Sequence, residues 1–229
     1  MAGDYPDLVR PGSVEEAVAE LARLGDAGAP LAGCTWIMRA PSRGERLRST
    51  YVSLQDVGLD TIEPGDPTRL GARATHAQLA ALDGGCGPLG ALAEASRRSA
   101  NRAIRNTATL AGNVCAHPFA ASDLVPALLA GEASVEVLAG RRLDRRARRL
   151  PRLARLAPAG ELVTALVVPA PAGRRSWYER LTVRGASEYP IVGVAVSVDV
   201  AADGTVAAAR VAVGAAEDVP RRVAEAEAA

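Results

Sequence analysis

The sequence contains no lysine, so all 27 of its basic residues are arginine. That absence excludes several enzyme classes. A pyridoxal-phosphate enzyme or a Schiff-base aldolase needs an amine nucleophile. A P-loop NTPase and a protein kinase each need a phosphate-contacting lysine. Cysteine is scarce as well: Cys34, Cys86 and Cys115 stand far apart. They are too few for a cluster held by four thiolates, and their spacing fits no zinc motif, so no metal site is expected. Aromatic residues make up only 3% of the 229 residues, so the core must be built from Val, Leu, Ile and Ala. No apolar run approaches the ~18 uncharged residues of a membrane span. A net charge of +1 leaves no basic excess of the kind that nucleic-acid binding requires. The odd cysteine count and the polar N-terminus read as a reducing, cytoplasmic setting. Apolar residues at 48% argue against disorder.

What is present alternates between helix and strand. Ser13 to Leu24 reads as a helix, capped by Ser13, with Glu15 and Glu16 at its positive end and Gly25 as its stop. Val14, Ala17, Val18, Leu21 and Leu24 form its apolar face. A short strand then runs into the Gly33 turn, and Ser49–Gln55 reads as a second strand. Leu59–Ile62 and Thr68–Gly71 look like a hairpin about Pro64 to Pro67. Helices are expected at His76–Leu82, Leu89–Ser99 and Ser122–Ala130, with a turn-rich stretch from Ile104 before the last. Ser134–Leu138 and Val163–Val168 read as strands. Arg141–Arg155 reads as a solvated loop or helix face rather than an anionic-partner site. Beyond Pro169–Gly173, three antiparallel strands are expected at Ser176–Arg184, Ile191–Val200 and Val206–Val213, with Asp203–Gly204 as the last turn. The Ala/Glu tail reads as frayed or as the start of a helix.

Two segments look built for phosphate. In Leu31–Trp36 a strand ends at a glycine turn whose backbone N–H groups can converge on an anion, and Thr35 adds a hydroxyl. In Asn106–Val114, small residues permit close approach of a ligand, and Thr109 and Asn113 offer polar side chains at a turn. Ser122 and Asp123 follow at a helix start, where Asp123 is either an N-terminal helix charge or an acceptor for ligand hydroxyls.

The order of these segments resembles the FAD-binding subunit of the molybdenum hydroxylases, the family of xanthine dehydrogenase and carbon monoxide dehydrogenase. The matching stretches are Leu31-Ala-Gly-Cys-Thr-Trp-Ile-Met38 and Thr109-Leu-Ala-Gly-Asn-Val-Cys-Ala-His-Pro-Phe-Ala-Ala-Ser-Asp-Leu-Val-Pro126. Gly160–Thr164, Tyr178–Arg184 and Ile191–Ala195 follow the family's later segments. The resemblance runs from about Pro6 to Arg222. It implies an α+β fold of the vanillyl-alcohol-oxidase and molybdenum-hydroxylase flavoprotein type. Two subdomains, about residues 1–58 and 59–170, would grip an extended FAD. A shortened third domain, 171–229, would carry a three-stranded antiparallel sheet and lack part of the family's helical end. FAD is expected to be non-covalent. The backbone of Ala32, Gly33, Cys34, Thr35 and Trp36 would hold the pyrophosphate. Thr109, Gly112 and Asn113 would line the second loop, with Ser122 beside it, and Asp123 would bond ribityl hydroxyls or the ring edge.

The sequence departs from the family where Cys34 and Trp36 replace a glycine and a polar residue, and where Ala111 replaces a glycine. Trp36 would stack on adenine or pack in the core. His76, after Ala74-Thr75, reads as a helix cap. His117 is the first candidate for proton transfer, with Tyr178 second; Tyr189 and Arg184 also have the ring in reach, and Ile191 stands where relatives carry a polar residue. Three functions follow from the resemblance. The chain is an electron-transfer component with iron–sulfur and molybdenum subunits as partners, a standalone flavoenzyme acting on a small organic substrate, or an FAD-less scaffold.

Overall fold

The computed structural model describes residues 5–82, 85–116, 119–140, 160–183 and 189–228, together with the main chain of 142–149. Strand β1 (Asp7–Val9) leads to helix α1 (Val14–Leu24), then β2 (Gly28–Leu31) and β3 (Thr50–Ser53). The three strands form a parallel sheet in the order β1-β3-β2. The start of α1 is fixed as its sequence predicts: Ser13 Oγ accepts from Glu16 N at 3.1 Å. Its end falls at Gly25, whose φ of 53° opens the left-handed region. Ala17, Val18 and Leu21 bury the apolar stripe, and Val14 and Leu24 are partly covered.

The second sheet begins with a hairpin of β4 (Ile62–Glu63) and β5 (Thr68–Gly71). Five short helices intervene: α2 (His76–Ala80), α3 (Gly90–Arg98), α4 (Arg102–Arg105), α5 (Leu110–Cys115) and α6 (Leu124–Ala130). Strands β6 (Ser134–Ala139), β7 (Arg142–Arg149) and β8 (Glu161–Val168) complete an antiparallel sheet in the order β4-β5-β8-β6-β7.

The third sheet has the antiparallel order β12-β11-β10-β9, from β9 (Arg174–Leu181), β10 (Val192–Val200), β11 (Val206–Gly214) and β12 (Arg221–Arg222). Its three long strands are those expected, and β12 adds a fourth of two residues. Strand β9 attaches this sheet to the rest through polar residues on its buried face. Ser176 Oγ accepts from Ala91 N at 3.0 Å and donates to carbonyls of Gly87 and Pro88. The Arg174 guanidinium, 4% exposed, pairs with Asp199 and Glu132. The core is aliphatic, with Leu70, Leu79, Leu110, Leu124, Leu128 and Leu166 at its centre, and Tyr178 is its one fully buried aromatic among the described residues.

Three expectations change, and the tail, read as frayed or as the start of a helix, takes the second form. The arginine-dense run is an edge strand over Arg142–Arg149, because β6 presents a free edge that its backbone can pair; the rest of the run lies outside the described residues. The stretch at Leu110–Cys115 is a helical turn rather than an open loop, since Thr109 caps it. The tail forms a short helix, α7 (Ala224–Glu227), held by Arg222 on Glu227 at 2.6 Å. The cap of α2 is Thr75, which forms a reciprocal capping box with Gln78, and not His76.

Candidate functional site

A cleft of about 1110 Å³ runs between the first sheet's loop and the second sheet's helices. That is at the upper edge of the ~300–1,000 Å³ usual for cofactor pockets. Two loops form its walls. The first follows β2. Ala32, Gly33, Cys34, Thr35 and Trp36 all line the cleft, and Cys34 sits at φ 60°. The N–H groups of Gly33 to Trp36 donate to no acceptor among the described residues. Consecutive free amides around one left-handed residue make a concave donor set suited to an anion. Gly33 has a further role. A Cβ there would lie 1.8 Å from the Thr107 carbonyl oxygen, so the glycine lets the first loop rest on the approach to the second.

The second loop is the start of α5. Thr109 Oγ1 accepts from Gly112 N at 3.2 Å, and a Cβ on Gly112 would stand 2.6 Å from that hydroxyl. Gly112 therefore makes room for the cap. Leu110 N and Ala111 N donate to the carbonyls of Ala74 and Ala72. Asn113 Oδ1 accepts from Ser122 Oγ at 2.5 Å, and Ser122 Oγ in turn accepts from Val125 N, so Ser122 caps α6. Thr109, Gly112, Asn113 and Asp123 line the cleft, whereas Ser122 stands behind Asn113.

Asp123 is 6% exposed. Its Oδ1 accepts from the Tyr178 hydroxyl at 2.8 Å, and Arg180 Nη1 reaches both carboxylate oxygens at 3.0 Å. Burial raises its pKa, while the charge of Arg180 and the hydrogen bonds from Tyr178 and Arg180 pull it back down. Tyr178 is wholly buried behind Asp123 and does not line the cleft; burial, with the carboxylate beside it, pushes its phenol up. His117 and Arg184 lie outside the described residues.

At one end of the cleft Trp36, Phe119 and Tyr189 form an aromatic row, with ring centroids 4.8 and 5.4 Å apart. Arg43 lies 3.9 Å over the Trp36 ring, and Arg39 donates to the Tyr189 hydroxyl at 2.9 Å. Trp36 is thus part of the cleft wall and not of the core. Ile191 is half exposed. His76 lies beneath the second loop, with Nδ1 2.7 Å from Ser99 Oγ. Burial holds its pKa down at about 4; the Thr109 backbone opposes this and the charge of Arg105 adds to it.

The family model for the FAD binding domain in molybdopterin dehydrogenase matches residues 4–171. The chain belongs to that family. FAD is accordingly its cofactor. A reconstituted CO dehydrogenase from Oligotropha carboxidovorans superposes with a TM-score of 0.85 at 27% identity, over 100% of this chain and 81% of that one. A CO dehydrogenase from Hydrogenophaga pseudoflava gives 0.83 at 26%, over 96% and 79%. Quinoline 2-oxidoreductase from Pseudomonas putida 86 shares the fold, with a TM-score of 0.84 at 21% identity over 98% and 79% of the two chains. A search of curated proteins gives no match. The cleft fits the cofactor. Its size suits a dinucleotide, the free amides of Gly33 to Trp36 suit a pyrophosphate, and Asp123 suits hydroxyl or ring N–H donors. The partners that sequence reasoning missed are Arg180, Phe119 and the cleft-wall position of His76. A strand with polar residues at its alternate buried positions (Arg174, Ser176, Tyr178) was the signal for the β9 contacts.

Proposed function

We propose that the chain is the flavin-carrying electron relay of a larger molybdenum hydroxylase, receiving electrons from an iron–sulfur partner in the cytoplasm and passing them to an acceptor. The free amides of Gly33, Cys34, Thr35 and Trp36 bind the pyrophosphate, with Ala32 setting the turn. Thr109, Gly112 and Asn113 line the middle of the cleft, Ser122 orients Asn113, and Asp123 accepts from the flavin half. Residues 1–58 and 59–170 supply the two walls, and 171–229 back them and add Tyr189 at one end. When bound, FAD supplies a ring that accepts and releases one or two electrons.

The observation that favours a relay over a standalone dehydrogenase is how the carboxylates and the imidazole that line the cleft among the described residues are committed. Direct oxidation of an organic substrate needs a base beside the ring. Asp123 is tied to Arg180 and Tyr178, Glu45 to Arg43, and His76 is bonded to Ser99 through Nδ1, with burial holding its pKa at about 4, which makes it a weak base at pH 7. A relay needs none of them as a base. Similar structures, a Cu,Mo-CO dehydrogenase and a CO dehydrogenase lacking its Mo-pyranopterin moiety, support the same reading.

The test is anaerobic stopped-flow on the FAD-loaded chain. A reduced iron–sulfur protein of the two-iron class should bleach the flavin within seconds, while aldehydes, purines and N-heterocycles leave it oxidised. Rapid reduction by a small organic molecule alone would overturn the relay.

A further inference from the structure

We propose that Arg180 and Tyr178, on the third sheet, are positioning residues that hold Asp123 as a carboxylate with one acceptor site kept for the cofactor, so that this sheet sets the charge of the FAD cleft. The inference rests on the reading of Asp123 as a cofactor contact. A carboxylate offers about four acceptor positions. Two on Oδ1 are taken by the Tyr178 hydroxyl and Arg180 Nη1, and one on Oδ2 by the same nitrogen. One position on Oδ2 remains, on a residue that lines the cleft. Both partners are themselves buried: Tyr178 is 0% exposed and the Arg180 side chain 7%.

The geometry matters because an isolated carboxyl at this depth takes up a proton rather than keeping its charge. A protonated Asp123 would lose acceptor capacity and would present a donor in its place. The cation that prevents this comes from β9, a strand that contributes no cleft-lining residue among those described. Among the described residues, the charged groups around Asp123 are few. Arg180 touches it from β9, Tyr178 stands beside Arg180, and Arg98 acts from α3, where it pairs with Glu94 and Glu179. Arg180 is therefore the dominant control on the ionisation of the site. Tyr178 adds a donor that fixes which oxygen faces away from the cofactor.

FAD affinity of the apo-chain, followed by flavin fluorescence from pH 5 to 9, tests this. Asp123→Asn should weaken binding about tenfold or more with little pH dependence, the scale of one hydrogen bond to a charged acceptor. In Arg180→Gln the pH at which affinity falls should move upward. At about pH 6 that variant should bind about tenfold more weakly than Arg180→Lys, and at about pH 9 the two should agree within about twofold, as a one-proton linkage requires. Tyr178→Phe should shift the midpoint in the same direction by less, and it carries the test where Arg180→Gln does not fold. Unchanged affinity in Asp123→Asn would remove Asp123 as a cofactor contact. Weakened Asp123→Asn with no midpoint shift in either β9 variant would overturn the positioning role and leave the contact intact. A purely structural Arg180 would lower thermal stability and weaken binding equally at every pH.

Discussion

In the first loop the amides of Gly33 to Trp36 meet no acceptor among the described residues. In the second, Leu110 N and Ala111 N go to the carbonyls of Ala74 and Ala72, Gly112 N to the Thr109 hydroxyl, and Asn113 N to Thr109 O. The two loops line one cleft, yet one leaves its backbone donors open and the other spends them on folding. The difference follows from what bounds each loop. Strand β2 ends at Leu31 and the next helical turn, a 3-10 turn over Ile37–Arg39, starts at Trp36 with no side-chain cap, so the N–H groups about Cys34 at φ 60° stay open. The second loop enters α5 through a threonine cap, which consumes donors that a helix start leaves over. Under the proposed function, backbone recognition would fall to the first loop and side-chain recognition to the second.

The sharpest way to break this contrast is at its glycines. Gly33→Ala places a Cβ 1.8 Å from a backbone oxygen, Thr107 O, and neither side can swing away. The cost should reach at least ~3 kcal/mol, the upper end of overpacking, with a Tm loss of roughly 6–12 °C. FAD content should fall to near zero. Gly112→Ala meets only the Thr109 side chain, at 2.6 Å. That hydroxyl can rotate off, so the cost is the cap, about 1 kcal/mol. Calorimetry and flavin absorbance of both variants decide the matter. Equal losses would mean that the second loop is as rigid a backbone contact as the first.

Acid should act on the second loop before the first. His76 N donates to Ala108 O, so the ring lies directly under that loop. Its pKa is held at about 4 when folded, against an ordinary 6.5. Between those values the unfolded chain binds more protons than the folded one. Stability therefore rises with pH across the window and is lost as pH falls from about 6.5 toward 4, by on the order of 3 kcal/mol. His76→Gln carries no such proton. The difference in stability between pH 7 and pH 4.5, by urea titration, should shrink by a few kcal/mol in the variant. The hydrogen-exchange protection factors of Leu110 and Ala111 should fall in the wild type over the same window. An identical pH dependence in both proteins would show that His76 is not the proton-linked group.

The contrast between the loops also marks what was readable without coordinates. The helix from Val14 to Leu24 was fixed by Ser13 and Gly25, because a cap and a stop are local chemistry. The turn of the first loop is legible for the same reason, since one strand end and one glycine carry it. The true task of Gly33 was not legible, because Thr107 is more than seventy residues away. Nor was the edge strand Arg142–Arg149, where pairing with β6 overrides a composition that reads as solvated surface. Asp123 was found through its place in a motif. Its partners Tyr178 and Arg180 were missed because a register between a helix start and a distant strand leaves no local signature. Helix α5 was read as a turn because its Gly and Asn are weak helix formers; the cap at Thr109 and the bonds to Ala72 and Ala74 supply what propensity does not.

The smallest expected effect sharpens the comparison at Cys34. This residue holds φ at 60°, a region that favours glycine, and its Sγ lies 3.6 Å from the Ala32 carbonyl. If the first loop binds through its backbone alone, the side chain contributes only strain. Cys34→Gly should then relieve up to ~1 kcal/mol of left-handed cost, partly offset by the greater freedom of glycine in the unfolded chain. A Tm gain of roughly 1–3 °C is expected, at the usual 2–4 °C per kcal/mol for a chain of this size. FAD affinity should stay within about twofold, since the amides of Gly33 to Trp36 remain in place and a twofold change is under ~0.5 kcal/mol. Cys34→Ala keeps both the strain and the amides, so it should match the wild type in both measurements. A tenfold loss of FAD affinity in Cys34→Ala would show that the thiol itself meets the cofactor. The first loop would then share the side-chain recognition that the contrast assigns to the second.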